Sequence, residues 1–210
     1  KLGSQDTLLE VAGNYYFDTF DAGAVYETLK IEGEQQAEFD GYTTGYEPLT
    51  QENVFSMHTT GVTALTREMM NGLNAGVEPT VFSDQIGDFL SSADITHVSN
   101  EVSFKEGCTY SATLFCSPPA FIETLEASGV DVVELTGNHN NDVGSQFNTS
   151  TIEMYTELGW SHVGGGLNDE DAAKPYIVEQ DGTKFGMLAY NYPDAPNGGA
   201  ISGPDKAGAN

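Results

Sequence analysis

The chain has 210 residues, the length of one domain, and 39% of them are hydrophobic, which is enough for a packed core. Only 7 lysines and arginines accompany 32 aspartates and glutamates, so the formal net charge is −25 at pH 7. This charge excludes a nucleic-acid-binding protein that relies on its own basic patch, and it disfavours docking on anionic lipid, because both need Lys and Arg. A cationic partner or a divalent metal ion stays compatible with it.

Residues 1–50 differ in composition from the rest, because they are rich in Tyr, Gly, Glu and Gln and contain only short apolar patches. We interpret them as a lead-in segment with one or two strands, or as the end of a preceding domain, and residues 51–210 as the main domain. No apolar run in the sequence approaches the roughly 20 residues that a membrane-spanning helix needs. The chain starts at Lys1 without a signal-like stretch, so we expect a removed leader or a longer product.

Strands alternate with helices from residue 51 onwards, a pattern typical of an α/β layered domain. The predicted strands cover residues 54–58, 95–98, 130–135 and 160–163, and the predicted helices cover 64–73, 84–93, 118–127 and 145–158. A hairpin is predicted over 176–180 and 184–190 around Asp181-Gly182, and a loop over 193–210. In such folds ligands gather at the carboxyl ends of the strands.

The two cysteines, Cys108 and Cys116, lie in one irregular segment. A metal site would require a shorter spacing between the two cysteines and additional ligand side chains. A thiol nucleophile would need a positive neighbourhood, and only Lys105 is near. The spacing therefore favours a local disulfide, which implies an oxidising, extracellular setting.

Polar clusters follow three of the predicted strands, where the fold class places ligands. The side chains concerned are His58 and Arg67 around the first loop, Asn100 and Glu101 after the second strand, and Asn138, His139 and Asp142 after the third. Carboxylate, amide and imidazole groups suit a divalent ion, which could activate water or polarise a phosphoryl or carbonyl oxygen. The imidazole of His139 is a candidate general acid or metal ligand.

Each cluster also has a purely structural interpretation. Asn138 and residues 140–142 fit a tight turn followed by a helix start, since Asn and Asp cap helices. Glu101 at a strand end fits a solvent-facing side chain. Arg67, the only arginine in the chain, either holds an anion or pairs with one of the many acids. His58 is ambiguous.

Two other histidines and a glycine run favour structural roles. His97 lies within an apolar strand and His162 lies beside Trp160, so we predict that both are buried and hydrogen-bonded. Residues 164–166 are all glycine but lack a helix-opening fingerprint, so they predict a flexible turn.

Residues 54–190 resemble the CapA family of poly-γ-glutamate capsule proteins, in the metallophosphoesterase (calcineurin-like) superfamily. Residues 130–144 are similar to the family's strand and Asn-His-x-x-Asp-x-Gly signature. Ser99-Asn100-Glu101 is similar to the step after its second strand, and residues 61–67 occupy the place of its opening loop. Residues 151–159 resemble the following helix, and 162–175 resemble its Gly-rich turn with Ala-x-x-Pro.

The resemblance implies an α/β/β/α sandwich with a divalent metal, Mn, Zn, Fe or Mg, between strand-end loops. Carried over, the metal ligands would be Asn138, Asn100 and Glu101, and the catalytic groups His139 and Glu101. Asp142, Arg67 and His58 are the supporting candidates.

Two departures from the family pattern bear on activity. Val62 stands where the family usually has Asp, which removes a carboxylate ligand. The family domain normally continues past residue 210, so we expect as partner a missing C-terminal half or further copies of this chain. The resemblance implies a metal-dependent hydrolase or transferase acting on poly-γ-glutamate, another surface polymer or a phosphoester. The alternative is a non-catalytic assembly protein; both would be extracellular or at the cell surface.

Overall fold

The computed structural model describes residues 55–180, 182–192 and 199–210. The lead-in segment predicted over residues 1–50 lies outside the described residues, as does residue 54, where the first strand was predicted to begin. Within the described part of the chain, no helix is long and apolar enough to span a membrane.

Four parallel strands form the central sheet, and their spatial order is their chain order. The strands are β1 (Met57–Val62), β2 (Ile95–Ser99), β3 (Val132–Glu134) and β4 (Ser161–Val163). The connections between them contain four α-helices, and a fifth follows β4; the five are α1 (Glu68–Asn74), α2 (Gly87–Leu90), α3 (Ile122–Ala127), α4 (Ser145–Glu157) and α5 (Asp169–Ala172). Short 3-10 helices cover Pro79–Phe82 and Pro119–Phe121. The predicted α/β class is confirmed.

The structure corrects the predicted bounds of three elements early in the domain, namely the first strand and the two helices that follow it. Strand β1 includes residues 59–61, predicted as a loop, because its pairing with β2 continues through an irregularity up to Val62 and Ser99. Helix α1 starts late because Arg67 has a φ of 53°, which no α-helical residue adopts. Helix α2 starts late because Ile86, the residue before it, has a φ of −132°, which lies outside the α-helical range.

Apolar side chains pack on both faces of the sheet. Val133 and Val98 lie in the larger core with α3 and α4, whereas Val132 lies in a smaller core on the opposite face. Successive residues of a strand point to opposite faces, so the run 132–133 supplies both layers. The hairpin of β6 (Tyr176–Gln180) and β7 (Thr183–Met187), close to the predicted one, covers the smaller core. The described residues thus contribute helix, sheet and hairpin layers of a calcineurin-like arrangement.

Two residues of the glycine run and two residues near the end of the chain form short strands, where a turn and a loop were predicted. Strand β5 (Gly165–Gly166) pairs antiparallel with β8 (Gly208–Ala209), and both glycines of β5 are buried. A Cβ at Gly165 would lie 2.6 Å from the Cβ of Leu135, and one at Gly166 would lie 2.5 Å from the nitrogen of Ala172. The glycines are therefore required by close packing rather than by flexibility.

Asn100 lies in the core directly after β2, with 0% of its surface exposed. Its Nδ2 donates to the carbonyl of Val102 at 2.9 Å and to the hydroxyl of Tyr155 at 2.6 Å. Tyr155 is itself fully buried in α4, and burial raises the pKa of its hydroxyl. The amide therefore ties the loop after β2 to the long helix.

Replacing Asn100 by Ala removes the donor to two buried oxygens. We expect the free energy of unfolding in urea to fall by about 1–3 kcal/mol, since buried polar groups left unpaired cost that much. The matched control is Asn71→Ala, which removes an exposed side-chain bond to Glu68 and should change stability by less than about 0.5 kcal/mol. Equal losses in the two variants would contradict a core role for Asn100.

His97 is buried as predicted, but its predicted hydrogen bond is missing. Its Nε2 lies 3.3 Å from Oε2 of Glu134, and neither ring nitrogen has a hydrogen bond of good geometry with a described residue. Burial lowers the pKa of His97, while the Glu134 carboxylate acts in the opposite direction.

The lowered pKa of His97 makes stability depend on pH. Below the ordinary value of 6.5 the unfolded chain binds a proton at this residue before the folded chain does. The contribution of neutral His97 to the free energy of unfolding is therefore complete above pH 6.5, and it is lost as the pH falls through the lowered pKa of the folded state. We expect the urea midpoint to fall more between pH 7.5 and 5.5 in the wild type than in His97→Gln. An equal fall in both would contradict this.

Candidate functional site

A cavity of about 450 Å³ opens at the carboxyl ends of β1, β2 and β3. We call it the cleft. Its lining consists of Val62, Ser99, Glu101, Glu134, Thr136, Gly137, Asn138, Asn191 and Tyr192. Two of the predicted site residues, Glu101 and Asn138, thus lie in one cavity at the edge where a parallel sheet places ligands.

The loops after β2 and β3 are packed directly against each other. A Cβ at Gly137 would lie 2.5 Å from the Cα of Glu101, so only glycine allows this approach. Val102 and His139 form a parallel bridge, and the Ser103 hydroxyl donates to the carbonyl of Asn140 at 2.5 Å. The two loops therefore hold Glu101 and the Asn138-His139 pair in a fixed relation.

Asp142 holds the imidazole of His139. One carboxylate oxygen, Oδ2, lies 2.8 Å from Nδ1 of His139 and also accepts the backbone N–H of Phe115 at 2.9 Å. The ring of Phe115 meets the imidazole edge-on, with centroids 4.4 Å apart. Because Nδ1 is occupied, Nε2 is the nitrogen through which His139 meets a ligand.

A second cavity of about 220 Å³ adjoins the first, and we call it the side pocket. Its lining consists of Ala64, Thr66, Arg67, Glu101, Val102, Phe115 and His139. The guanidinium carbon of Arg67 lies 4.0 Å from the centroid of Phe115. Phe115 therefore touches both Arg67 and His139. Glu101 lines both cavities and connects them.

Two predicted site residues lie elsewhere. Asn100 lines neither cavity; its Nδ2 is bonded within the core, while its buried Oδ1 has no hydrogen-bond partner among the described residues. His58 lies near the start of β1, stacked on Phe89 with centroids 4.2 Å apart and with Nδ1 3.3 Å from the carbonyl of Leu90. His58 is far from the cleft because β1 continues beyond the predicted end at residue 58 to Val62. The side chain that reaches the cleft is therefore that of Val62.

Sequence reasoning missed three residues of the site. Glu134 ends an otherwise apolar strand, a signal that was available, and it accepts a hydrogen bond from the Thr136 hydroxyl. Phe115 precedes Cys116, so the disulfide pointed to its segment but not to its contacts. Asn191 donates to the carbonyl of Thr136 at 2.7 Å. No pattern in the sequence marks that residue.

The family model described as bacterial capsule synthesis protein PGA_cap matches residues 42–209. The chain belongs to this family. The match confirms the resemblance to CapA proteins, and it connects the chain with capsule synthesis. A search of curated proteins gives no match to this chain.

The capsule family is metallophosphoesterase-like, which raises the question of a metal centre. The cleft offers carboxylates from Glu101 and Glu134 and amides from Asn138 and Asn191, while Val62 offers no donor. Among the residues described, no three His, Cys, Asp or Glu side chains gather closely enough to hold a metal ion. Nδ1 of His139 is already taken by Asp142. The donors described here therefore do not by themselves make up the family's metal centre.

The predicted disulfide between Cys108 and Cys116 is confirmed, and it places Phe115 beside a covalent link. Ser117, the residue after Cys116, donates from its hydroxyl to the carbonyl of Leu65 at 2.6 Å. The disulfide loop is thereby tied to the segment that leads to Arg67.

Replacing both cysteines by Ala opens a loop with a sequence separation of 8. We expect the free energy of unfolding to fall by about 2–3 kcal/mol, from the loop entropy that the link removes in the unfolded chain. The wild type in excess reductant should shift to the urea midpoint of the double variant, while reductant should leave the variant unchanged. A variant as stable as the oxidised wild type would contradict a structural role for the link.

Proposed function

We propose that this capsule-family protein is secreted or held at the cell surface, and that it cleaves or transfers poly-γ-glutamate or a related surface polymer at Glu101, where the cleft and the side pocket meet. The disulfide supports the location, because such links persist in oxidising compartments. The pairing of His139 with Asp142 beside Glu101 carries the proposed activity. A carboxylate that fixes one nitrogen of an imidazole leaves the other ready to move a proton.

The chemistry proposed for these residues is hydrolysis of a γ-amide bond. Water attacks the carbonyl carbon while Nε2 of His139 accepts its proton, and the same nitrogen then gives that proton to the leaving amine. Glu101 orients the water by accepting its second hydrogen. The Asn138 amide is the donor for the oxygen that becomes negative. The products are one carboxyl and one amine, so atoms and charge balance.

The charge of the chain limits how the polymer binds. Poly-γ-glutamate is a polyanion, and a net charge of −25 repels it. This repulsion is screened beyond a Debye length of about 8 Å at physiological salt. Short-range contacts inside the cavities therefore have to hold the substrate.

Replacing His139 by Asn removes the proposed proton carrier and should lower the rate of polymer cleavage by about 100-fold or more. The assay measures new amino groups released from poly-γ-glutamate by the full chain, with and without added Mn²⁺, Mg²⁺ or Zn²⁺. The matched control is His162→Asn, which breaks a similar contact, 3.2 Å to Asp171, but lines neither cavity. Cleavage by His139→Asn at the wild-type rate would refute the proposal.

A non-catalytic assembly role is the second candidate, with copies of this chain or a C-terminal half as partner. Two observations favour it. Val62 occupies the carboxylate position and is 64% exposed in the cleft. Large apolar side chains on and after the hairpin are also exposed, namely Ile177, Leu188, Tyr190 and Tyr192. This role predicts no cleavage by the wild type and a mass by light scattering above 22.5 kDa.

A further inference from the structure

Arg67 makes neither an ion pair within 4.0 Å nor a side-chain hydrogen bond with any residue that the structure describes. Arg67 is an exposed residue of a chain with 32 acidic and 7 basic residues, and its guanidinium nevertheless has no acidic partner in the described part of the chain. Of the four lysines described, Lys174 pairs with Asp171 and Lys184 with Glu179, whereas Lys105 and Lys206 make no ion pair there. Of the two roles that the sequence left open for Arg67, pairing with an acid is not realised in the described part of the chain.

The guanidinium is nevertheless held in place. Its Cζ lies over the ring of Phe115, a buried residue inside the Cys108–Cys116 loop. The backbone of Arg67 has a φ of 53°, the only positive φ outside glycine in the described residues. Such a conformation costs about 1–3 kcal/mol and persists only where its surroundings impose it. The contact with the ring uses none of the five N–H donors of the guanidinium as a conventional hydrogen bond.

The walls of the side pocket carry complementary charge. Arg67 supplies donors, while the carboxylate of Glu101 supplies acceptors within the same cavity of about 220 Å³. Each γ-linked glutamyl unit presents one α-carboxylate and one amide N–H. A phosphate group carries about one to two negative charges at neutral pH and has no amide N–H, so Glu101 would repel it. The combination therefore favours a γ-glutamyl unit over a phosphate.

We infer that the side pocket binds one γ-linked glutamyl unit, with its α-carboxylate on the guanidinium of Arg67 and its amide N–H on Glu101. This inference rests on the proposed function and adds the substrate unit and its orientation. Arginine suits the task because its planar fork pairs with both oxygens of a carboxylate. Phe115 acts as a positioning residue, since it touches Arg67 and His139 at once.

The test is calorimetric titration of the full chain with a γ-linked glutamate trimer. We expect Arg67→Gln to weaken binding by at least 10-fold and Arg67→Lys to weaken it less. The matched control is Lys105→Gln, which removes a cation located 5.5 Å from the ring centroid of Phe147 and outside both cavities. Its binding should stay within twofold of the wild type. Wild-type binding by Arg67→Gln, or an equal loss in Lys105→Gln, would overturn the inference.

A second experiment uses only the wild-type protein. Its result is therefore valid even if a substitution at Arg67 disturbs folding. The same trimer with its α-carboxylates converted to carboxamides should bind the wild type at least 10-fold more weakly. Equal binding of acid and carboxamide would overturn the inference. Inorganic phosphate should not displace the trimer. Displacement in the wild type but not in Arg67→Gln would make this a general anion site and overturn the γ-glutamyl assignment.

The inference and the proposed function fail in different ways. If Arg67→Gln cleaves the polymer with an unchanged KM while His139→Asn does not cleave it, the side pocket assignment is wrong and the hydrolase stands. If the trimer binds through Arg67 but the wild type never cleaves it, the binding site stands and the hydrolase is wrong.

Discussion

The site depends on the direct packing of two strand-end loops, at the point where Gly137 meets the backbone of Glu101. A Cβ there would lie 2.5 Å from the Cα of Glu101, so no other residue allows the same approach. Two features of the site follow from this contact. It places Glu101 between the cleft and the side pocket, and it brings the Asn138-His139 pair against the loop after β2.

A second constraint comes from the disulfide loop, which delivers Phe115 to the same place from another part of the chain. One carboxylate oxygen of Asp142 accepts from both the Phe115 backbone and the His139 ring. Asp142 therefore couples the covalently closed loop to the imidazole. Because Phe115 also contacts Arg67, a disturbance in the disulfide loop would reach the His139 imidazole and the Arg67 guanidinium together.

The outline of this arrangement could be predicted from the sequence. The strand followed by Asn-His-x-x-Asp-x-Gly predicts a loop at the carboxyl end of a strand, and the structure places His139 and Asp142 there in contact. The pairing of Cys108 with Cys116 could be predicted because both lie in one irregular segment, with too few metal-ligand side chains nearby for a metal site. These signals are local, because each lies within one short segment.

The remaining features depend on contacts between distant segments. An amide after a strand can face the cavity or the core, and for Asn100 the choice is decided by Tyr155, 55 residues later in the chain. His58 lies near the start of β1 rather than at its carboxyl end, because the end of that strand is set by its pairing with β2. The positive φ of Arg67 and the position of Phe115 have no local signature, since both are imposed by packing.

The most direct test of this account is nitrogen-15 imidazole NMR of His139 in the full-length chain at pH 8.5, with Asp142→Asn as reference. The account predicts a single neutral tautomer with the proton on Nδ1, bonded to Asp142, and with Nε2 unprotonated toward the side pocket. It also predicts that this preference is lost in the variant. An imidazole protonated on Nε2, or one that exchanges freely between tautomers in the wild type, would contradict the central claim that Asp142 organises the site.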